Sequence, residues 1–149
     1  MKLETVMPTT LDQVVPLITE YQKFYRVKTE PERTREFFRE LTLPGNGKGI
    51  LFRAVGETGE TLGFTTLYFV PSSLSARTVC VLNDLYTVPE SRGHGVARAL
   101  MAHAVEFARA KGYHALDWQT ELGNKTAQRL YDKLPAQKSE WYYYTLPIE

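Results

Sequence analysis

Residues 82–97 read Leu82-Asn83-Asp84-Leu85-Tyr86-Thr87-Val88-Pro89-Glu90-Ser91-Arg92-Gly93-His94-Gly95-Val96-Ala97. This stretch predicts a strand that ends near Val88, a turn with two glycines, and a helix that begins at the second glycine. The first N–H groups of a helix lack internal partners, and the helix dipole adds partial positive charge there. Gly93 and Gly95 would let the backbone approach an anion closely, and Arg92 and Arg98 add side-chain charge. The stretch therefore predicts a pyrophosphate site.

The glycine pair alone is weak evidence for such a site. The segment lacks the Gly-Lys-Ser/Thr of a Walker loop, and it lacks the three-glycine fingerprint of dinucleotide-binding folds. A tight strand-to-helix turn that binds nothing explains the local pattern equally well. The neighbouring segments therefore have to decide between the two interpretations.

Hydrophobic periodicity and turn residues predict the remaining elements. Predicted helices are 11–25, 31–41, 95–111 and 124–134, and predicted strands are 2–7, 50–55, 62–70, 78–88, 115–120 and 141–146, with a loop over 71–76. An antiparallel meander followed by strand–helix–strand indicates an α/β fold with a mixed sheet and at least one parallel crossover.

Length and composition limit the class of protein. The chain has 149 residues and a formal net charge of +1, which fits one domain over residues 1–149 without the basic face of a nucleic-acid binder. We find no apolar run long enough to cross a membrane. The single cysteine, Cys80, excludes an internal disulfide, and no Cys/His spacing suits a metal. We therefore expect a cytoplasmic domain without a metal.

Three segments carry a family resemblance, namely Leu85–Glu90, Arg92–Ala97 and Asn124–Tyr131. They are similar to a strand with a Pro-Glu lead-in, to an Arg/Gln-x-x-Gly-x-Gly/Ala loop and to an Asn-x-x-Ala-x-x-x-Tyr helix. These are motifs of the GNAT superfamily of acetyl-CoA-dependent N-acetyltransferases. Segments 82–88 and 117–131 look closest to its branch of diamine and small histone-type acetyltransferases.

The resemblance implies a GNAT fold in which coenzyme A enters between two splayed parallel strands, here 78–88 and 115–120. Pantetheine would pair with the backbone at 85–87, and the pyrophosphate would lie on the amides of 93–98. The cofactor-binding residues implied in this way are Leu85, Tyr86, Thr87, Arg92, Gly93, His94, Gly95, Val96, Ala97, Arg98, Asn124 and Tyr131.

A general base is needed because an alkylamine with a pKa near 10.4 is only about 1 part in 2,500 neutral at pH 7. Asp84 is the candidate, with Asn83 beside it where related polyamine enzymes would have a carboxylate. The two side chains face opposite sides of an ideal strand, and a bulge would change which one reaches the pocket. The base stays open between Asp84 directly, Asp84 through water, and Glu121. A structural carboxylate at a strand end is the alternative for Asp84.

Tyr131 is the candidate general acid, because the matching tyrosine of the family donates a proton to the coenzyme A thiolate. Ala127, Leu130, Tyr131 and Leu134 would form one apolar stripe of a helix, so a core tyrosine is the alternative. For substrate binding we expect Asp84, Glu121 and Tyr25. The aromatics near Tyr25 also suit simple core packing.

The sequence thus predicts an acetyl-CoA-dependent N-acetyltransferase that acts on a primary amine, namely a polyamine, an amino acid or a lysine side chain of a peptide. A non-catalytic acyl-CoA sensor and a nucleotide-binding domain are the competing functions. The aromatic run Trp141–Tyr144 is a candidate edge for a homodimer, with half of its side chains packed.

Overall fold

The computed structural model describes residues 1–148, which fall into two compact units. Residues 1–119 form the first unit, and residues from 120 onward belong to the second. Among the described residues, no helix has both the length and the hydropathy that crossing a bilayer requires.

The first unit is built on one mixed sheet with the strand order β1-β2-β3-β4-β5. Strands β1 to β4 pair antiparallel with their sequence neighbours, and β5 pairs parallel with β4. The strands are β1 Lys2–Thr5, β2 Gly49–Val55, β3 Thr61–Ser72, β4 Arg77–Thr87 and β5 Leu116–Asp117. The predicted α/β fold with an antiparallel meander and a parallel pair is confirmed.

Helices cover both faces of this sheet. The helices of the first unit are α1 Val15–Phe24, α2 Pro31–Thr42 and α3 Val96–Ala110. Leu51 on β2 belongs to the core formed with α1 and α2, whereas the next residue, Phe52, has its ring 5.3 Å from that of Phe107 on α3. Since neighbouring side chains of a strand point to opposite faces, α3 lies opposite α1 and α2.

Several elements are shorter than the sequence predicts. The strand β1 ends at Thr5 rather than at residue 7, and α1 begins at Val15 rather than at residue 11, because Leu11–Gln13 form a separate 3-10 helix. Residues 115–120 were expected to form a full strand, but β5 spans only Leu116–Asp117. In the second unit, the helix α4 covers Lys125–Tyr131 rather than 124–134. The last turn fails because Pro135 has no N–H and disfavours helical backbone at the residue before it.

The predicted strand over Trp141–Leu146 is wrong. Residues 135–148 have no regular secondary structure. The aromatic tail (Trp141–Tyr144) was expected to bury half of its rings, yet all four side chains are exposed, from 82% for Tyr143 to 91% for Tyr142. Aromatic and β-branched residues favour a strand only where another strand pairs with them.

Candidate functional site

The strand-to-helix turn after β4 has the geometry that its glycines predict. Gly93 and Gly95 have φ of 77° and 82°, in the left-handed region that glycine adopts without strain. Gly95 is the N-cap residue of α3, and no side chain caps the helix start. A Cβ at either glycine would meet no atom within 4 Å. The Arg92–Arg98 segment, called the anion loop below, therefore presents helix N–H groups at an unobstructed surface.

One arginine of the anion loop is folded back onto the end of β4. Arg92 Nε donates to the carbonyl oxygen of Thr87 at 3.1 Å, and its guanidinium lies 5.8 Å from the ring centre of Tyr86. Arg98 is exposed on the first turn of α3. Both cations thus lie close in sequence to the open helix start, which favours a negatively charged ligand there.

A cleft opens where β4 and β5 stop pairing. The two strands pair at two positions only, Cys80 with Leu116 and Val81 with Asp117. The cleft has a volume of about 270 Å³ and begins at this last pair. Its lining residues are Val81, Leu82, Asn83, Asp117, Trp118 and Gln119. In the described part of the chain, β4 continues to Thr87 with a strand partner on its β3 edge alone.

A β-bulge interrupts β4 at the predicted base. Thr66 of β3 faces Asp84, but the next residue, Leu67, faces Leu82, so Asn83 has no partner in the register. Asn83 is exposed and lines the cleft, whereas Asp84 is 7% exposed. Asn83 Nδ2 donates to Asp84 Oδ1 at 3.1 Å. Because of the bulge, the Asn83 amide both lines the cleft and contacts the buried Asp84 carboxylate.

The surroundings of Asp84 favour its protonated form. Burial raises the pKa of the Asp84 carboxyl above its ordinary value, and the neighbouring polar side chains of Thr66, Tyr21 and Asn83 act in the opposite direction. Burial is the largest of these influences. A carboxylate with a raised pKa accepts a proton more readily than an ordinary aspartate, which suits a general base.

Tyr21 on α1 is a partner of Asp84 that the sequence analysis missed. Burial, followed by the charge of the nearby Asp84 carboxylate, raises the pKa of the Tyr21 hydroxyl. The Tyr21 ring packs edge-on against Phe64 and Tyr86, with ring centres 5.9 Å and 6.2 Å away. Only the helical spacing of Tyr21 and Tyr25 was visible in the sequence. That spacing predicts a shared face but not the partner on β4.

The second unit carries three further predicted residues. Asn124 is the N-cap of α4, and its Oδ1 accepts from the backbone N–H of Ala127 at 3.2 Å. Tyr131 is the last residue of α4 and is half-buried, as are the other members of the predicted stripe, Ala127, Leu130 and Leu134. Glu121 has an exposed side chain just before this helix.

Cys80 and His103 lie outside the anion loop and are not among the residues that line the cleft. Cys80 is fully buried, and burial raises the pKa of its thiol to about 11, so it acts as a small core residue. His103 packs edge-on against Phe52, with ring centres 4.6 Å apart. The described residues contain no group of three or more His, Cys, Asp or Glu side chains that could hold a metal ion.

Comparison with known proteins identifies the class of protein. The model of the Acetyltransferase (GNAT) family matches residues 14–134. The chain belongs to the GNAT family of acetyltransferases and is an enzyme of the acyltransferase class. The resemblance found in the sequence is confirmed.

Individual relatives agree with this class. The Uncharacterized N-acetyltransferase YhfO of Bacillus subtilis (strain 168) is 35% identical over 120 residues, which cover 80% of this chain and 78% of YhfO. The Thialysine N-epsilon-acetyltransferase of Caenorhabditis elegans is 30% identical over 131 residues, covering 88% and 79% of the two chains. A crystal structure of a probable acetyltransferase has a TM-score of 0.87 at 30% identity and covers 100% of this chain and 99% of its own.

Proposed function

We propose that the protein transfers an acetyl group from acetyl-CoA to the primary amine of a small molecule. The observation that carries this proposal is the parallel pair β4–β5. The two strands pair at only two positions, and β4 then continues alone on that side toward the anion loop. A ligand with an extended polar arm and a pyrophosphate matches these two features. The arm suits the open edge of β4, and the pyrophosphate suits the helix start.

The anion loop fits the cofactor on its own geometry. The left-handed glycines leave space where a Cβ would otherwise project, and the N-terminal N–H groups of α3 have no side-chain cap. We assign the backbone of 93–98 to the pyrophosphate, with the Arg92 and Arg98 side chains nearby. The open edge of β4 at Leu85, Tyr86 and Thr87 would hold the pantetheine arm. When bound, acetyl-CoA supplies an activated thioester carbonyl.

Asp84 is the proposed general base. An ammonium acceptor must lose a proton before its nitrogen can attack, and a buried carboxylate with a raised pKa accepts that proton readily. Asn83 lies between Asp84 and the cleft, so direct transfer and transfer through a water held by the Asn83 amide both remain part of the proposal. Glu121, whose side chain is exposed, is the alternative base.

Tyr131 is the proposed proton donor to the leaving thiolate. Its place at the end of α4 and its half-buried side chain are compatible with this role. Asn124 is proposed to help hold the cofactor. Since its Oδ1 accepts the N–H of Ala127, its Nδ2 group is the part that would donate to a ligand.

The acceptor is proposed to be a small amine rather than a peptide. One relative is named for thialysine, a small molecule with a primary amine. Tyr25 is 36% exposed at the end of α1 and is the proposed aromatic contact for the acceptor. The formal net charge of +1 gives the protein no overall attraction for polycations, which favours amino acids over long polyamines.

The deciding experiment measures thiol release from acetyl-CoA with a panel of amino acids, diamines, polyamines and lysine peptides. We expect turnover with at least one small primary amine. Tight binding of acetyl-CoA without turnover on any amine would instead favour the sensor function. Binding of nucleotide phosphates without preference for the pantetheine arm would favour a nucleotide-binding domain.

We also propose that the aromatic tail (Trp141–Tyr144) joins two copies of the chain. Aromatic side chains bury about 150–250 Å² each, so two tails would bury roughly 1,200–2,000 Å², the size of a standard stable interface. Light scattering should therefore report a dimer. The double variant Trp141→Ser, Tyr143→Ser should be monomeric, whereas Leu74→Ser, at a fully exposed turn, should stay dimeric. A monomeric natural protein would refute the dimer.

A further inference from the structure

The cleft between β4 and β5 contains a carboxylate that no cation of the protein neutralises. Asp117 is an exposed residue of β5 and lines the cleft, and no lining residue is a lysine, an arginine or a histidine. Within residues 1–148, no basic side chain forms an ion pair with Asp117. We propose that Asp117 binds a second, non-reacting ammonium group of the acceptor. This inference rests on the proposed function, because it places the reacting amine beside Asp84.

The register of the sheet places Asp117 on the same face as the candidate base. Thr66 and Tyr68 are two residues apart on β3, so their side chains share a face. Thr66 pairs with Asp84 in the register. Tyr68 pairs with Val81, and Val81 in turn pairs with Asp117. Because partners in register project to the same side of a sheet, the two carboxylates share one face.

This shared face is the one that α1 and α2 cover. Tyr68 packs against the core that these helices form with the sheet, and so does Tyr86, two residues beyond Asp84. The bulge is responsible for the alignment. Val81 and Asp84 are three positions apart and would point to opposite faces in a regular strand, but the extra residue Asn83 brings them to the same face.

The separation of the two carboxylates suits a short acceptor with two amines. Two residue rises along the strands and one strand spacing across them put the Cα atoms of Asp84 and Asp117 roughly 8 Å apart. With bonds of about 1.5 Å, a chain of roughly four or five methylenes spans such a distance. Val81 and Leu82 line the same cleft and offer apolar surface to the methylenes.

The charge of Asp117 also defines which acceptors the cleft disfavours. A monoamine would leave the carboxylate without a partner. An amino acid whose only amine reacts would bring its own carboxylate toward Asp117, and like charges repel. A second ammonium would instead form charge-assisted hydrogen bonds with Asp117. The geometry therefore favours a short diamine or a diamino acid.

The test uses putrescine and butylamine, which have the same carbon chain and differ only in the second amine. Acetylation is measured with the full chain at saturating acetyl-CoA. We expect kcat/KM for putrescine to exceed that for butylamine by about fivefold or more, the gain that an ion pair at a partly exposed site provides. This preference should shrink as sodium chloride is added, because salt screens exposed charges.

Asp117→Asn should reduce the preference to about twofold, the statistical advantage of a molecule with two equivalent amines. Its kcat/KM for butylamine should stay close to the natural value, because butylamine makes no use of the carboxylate. Asp117→Glu keeps the charge and should keep the preference. Glu106→Gln is the matched control, since it removes one negative charge from an exposed residue of α3, on the opposite face of the sheet, and should also keep the preference.

Two results would refute the role of Asp117 and leave the proposed function standing. In the first, the natural enzyme acetylates amines but does not prefer putrescine beyond the statistical advantage. In the second, Asp117→Asn retains the full preference of the natural enzyme. If the natural enzyme transfers acetyl to no amine, both proposals fail.

Discussion

The Nδ2 group of Asn83 donates to the Oδ1 atom of Asp84 at 3.1 Å, although the two residues are neighbours on one strand. In a regular strand their side chains would point to opposite faces of the sheet. The bulge between Thr66 and Leu67 of the facing strand removes this alternation. The two residues therefore act as one unit, with an exposed amide and a buried carboxylate.

Asn83→Ala should raise the pKa of Asp84 further, because it removes one of the hydrogen bonds that lower it. The acidic limb of the kcat profile should move to higher pH by about half a unit, the effect of a partly exposed hydrogen bond to a charged group. The pH dependence of kcat measures the shift. A limb that stays in place or moves to lower pH would contradict the link between Asn83 and the base.

Asp84→Asn should lower kcat by about 10²–10⁴-fold, as expected for loss of a general base. Glu121→Gln is the matched variant and should retain most of the activity. The reverse result, a large loss for Glu121→Gln and little for Asp84→Asn, would reassign the base to Glu121. Steady-state kinetics at saturating acceptor separate the two outcomes.

The same Asp84→Asn variant should be more stable than the natural protein at neutral pH. Because the folded-state pKa of Asp84 is raised, folding favours its protonated form. That contribution is present below the unfolded-chain pKa of about 3.9 and is lost as the pH rises through the folded-state value. Urea unfolding at pH 7 and near pH 4 should show a gain that shrinks on the acidic side. A gain that grows toward acidic pH would contradict the raised pKa.

Gly95→Asp should weaken acetyl-CoA binding by about tenfold or more, because it places a negative charge at the start of α3. Gly95→Ala is the control for backbone strain, since φ at this residue is 82° and alanine tolerates the left-handed region less well than aspartate does. We expect alanine to cost more folding stability and aspartate to cost more affinity. Calorimetric titration and thermal melts of both variants test this, and equal affinities would remove the anion loop from the cofactor site.

Tyr131→Phe should lower kcat by about 100-fold while leaving acetyl-CoA affinity nearly unchanged. The substitution keeps an aromatic ring at the last residue of α4 and removes only the hydroxyl. Pre-steady-state measurement of thiol formation locates the loss in the chemical step. Unchanged turnover would leave Tyr131 with a structural role alone.

The local sequence was sufficient to predict the conformation of the anion loop, because Gly93, Gly95 and the start of α3 lie within a few residues of one another. It was not sufficient for the bulge at Asn83, which depends on how β3 pairs with β4. Tyr21 acts on Asp84 from an element far away in the chain, so their interaction also depends on the tertiary fold. The expected strand at Trp141–Leu146 failed for the same reason, because strand propensity takes effect only beside a pairing edge.

The two-position contact between β4 and β5 has a cost outside catalysis. An unpaired strand edge exposes N–H and C=O groups to which another chain can add, which is a route to aggregation. A ligand lying along β4 would cover that edge and would also stabilise the folded state by mass action. The resistance of this enzyme to aggregation should therefore depend on its cofactor. Protein from which coenzyme A has been removed should aggregate at a lower temperature than protein with coenzyme A bound.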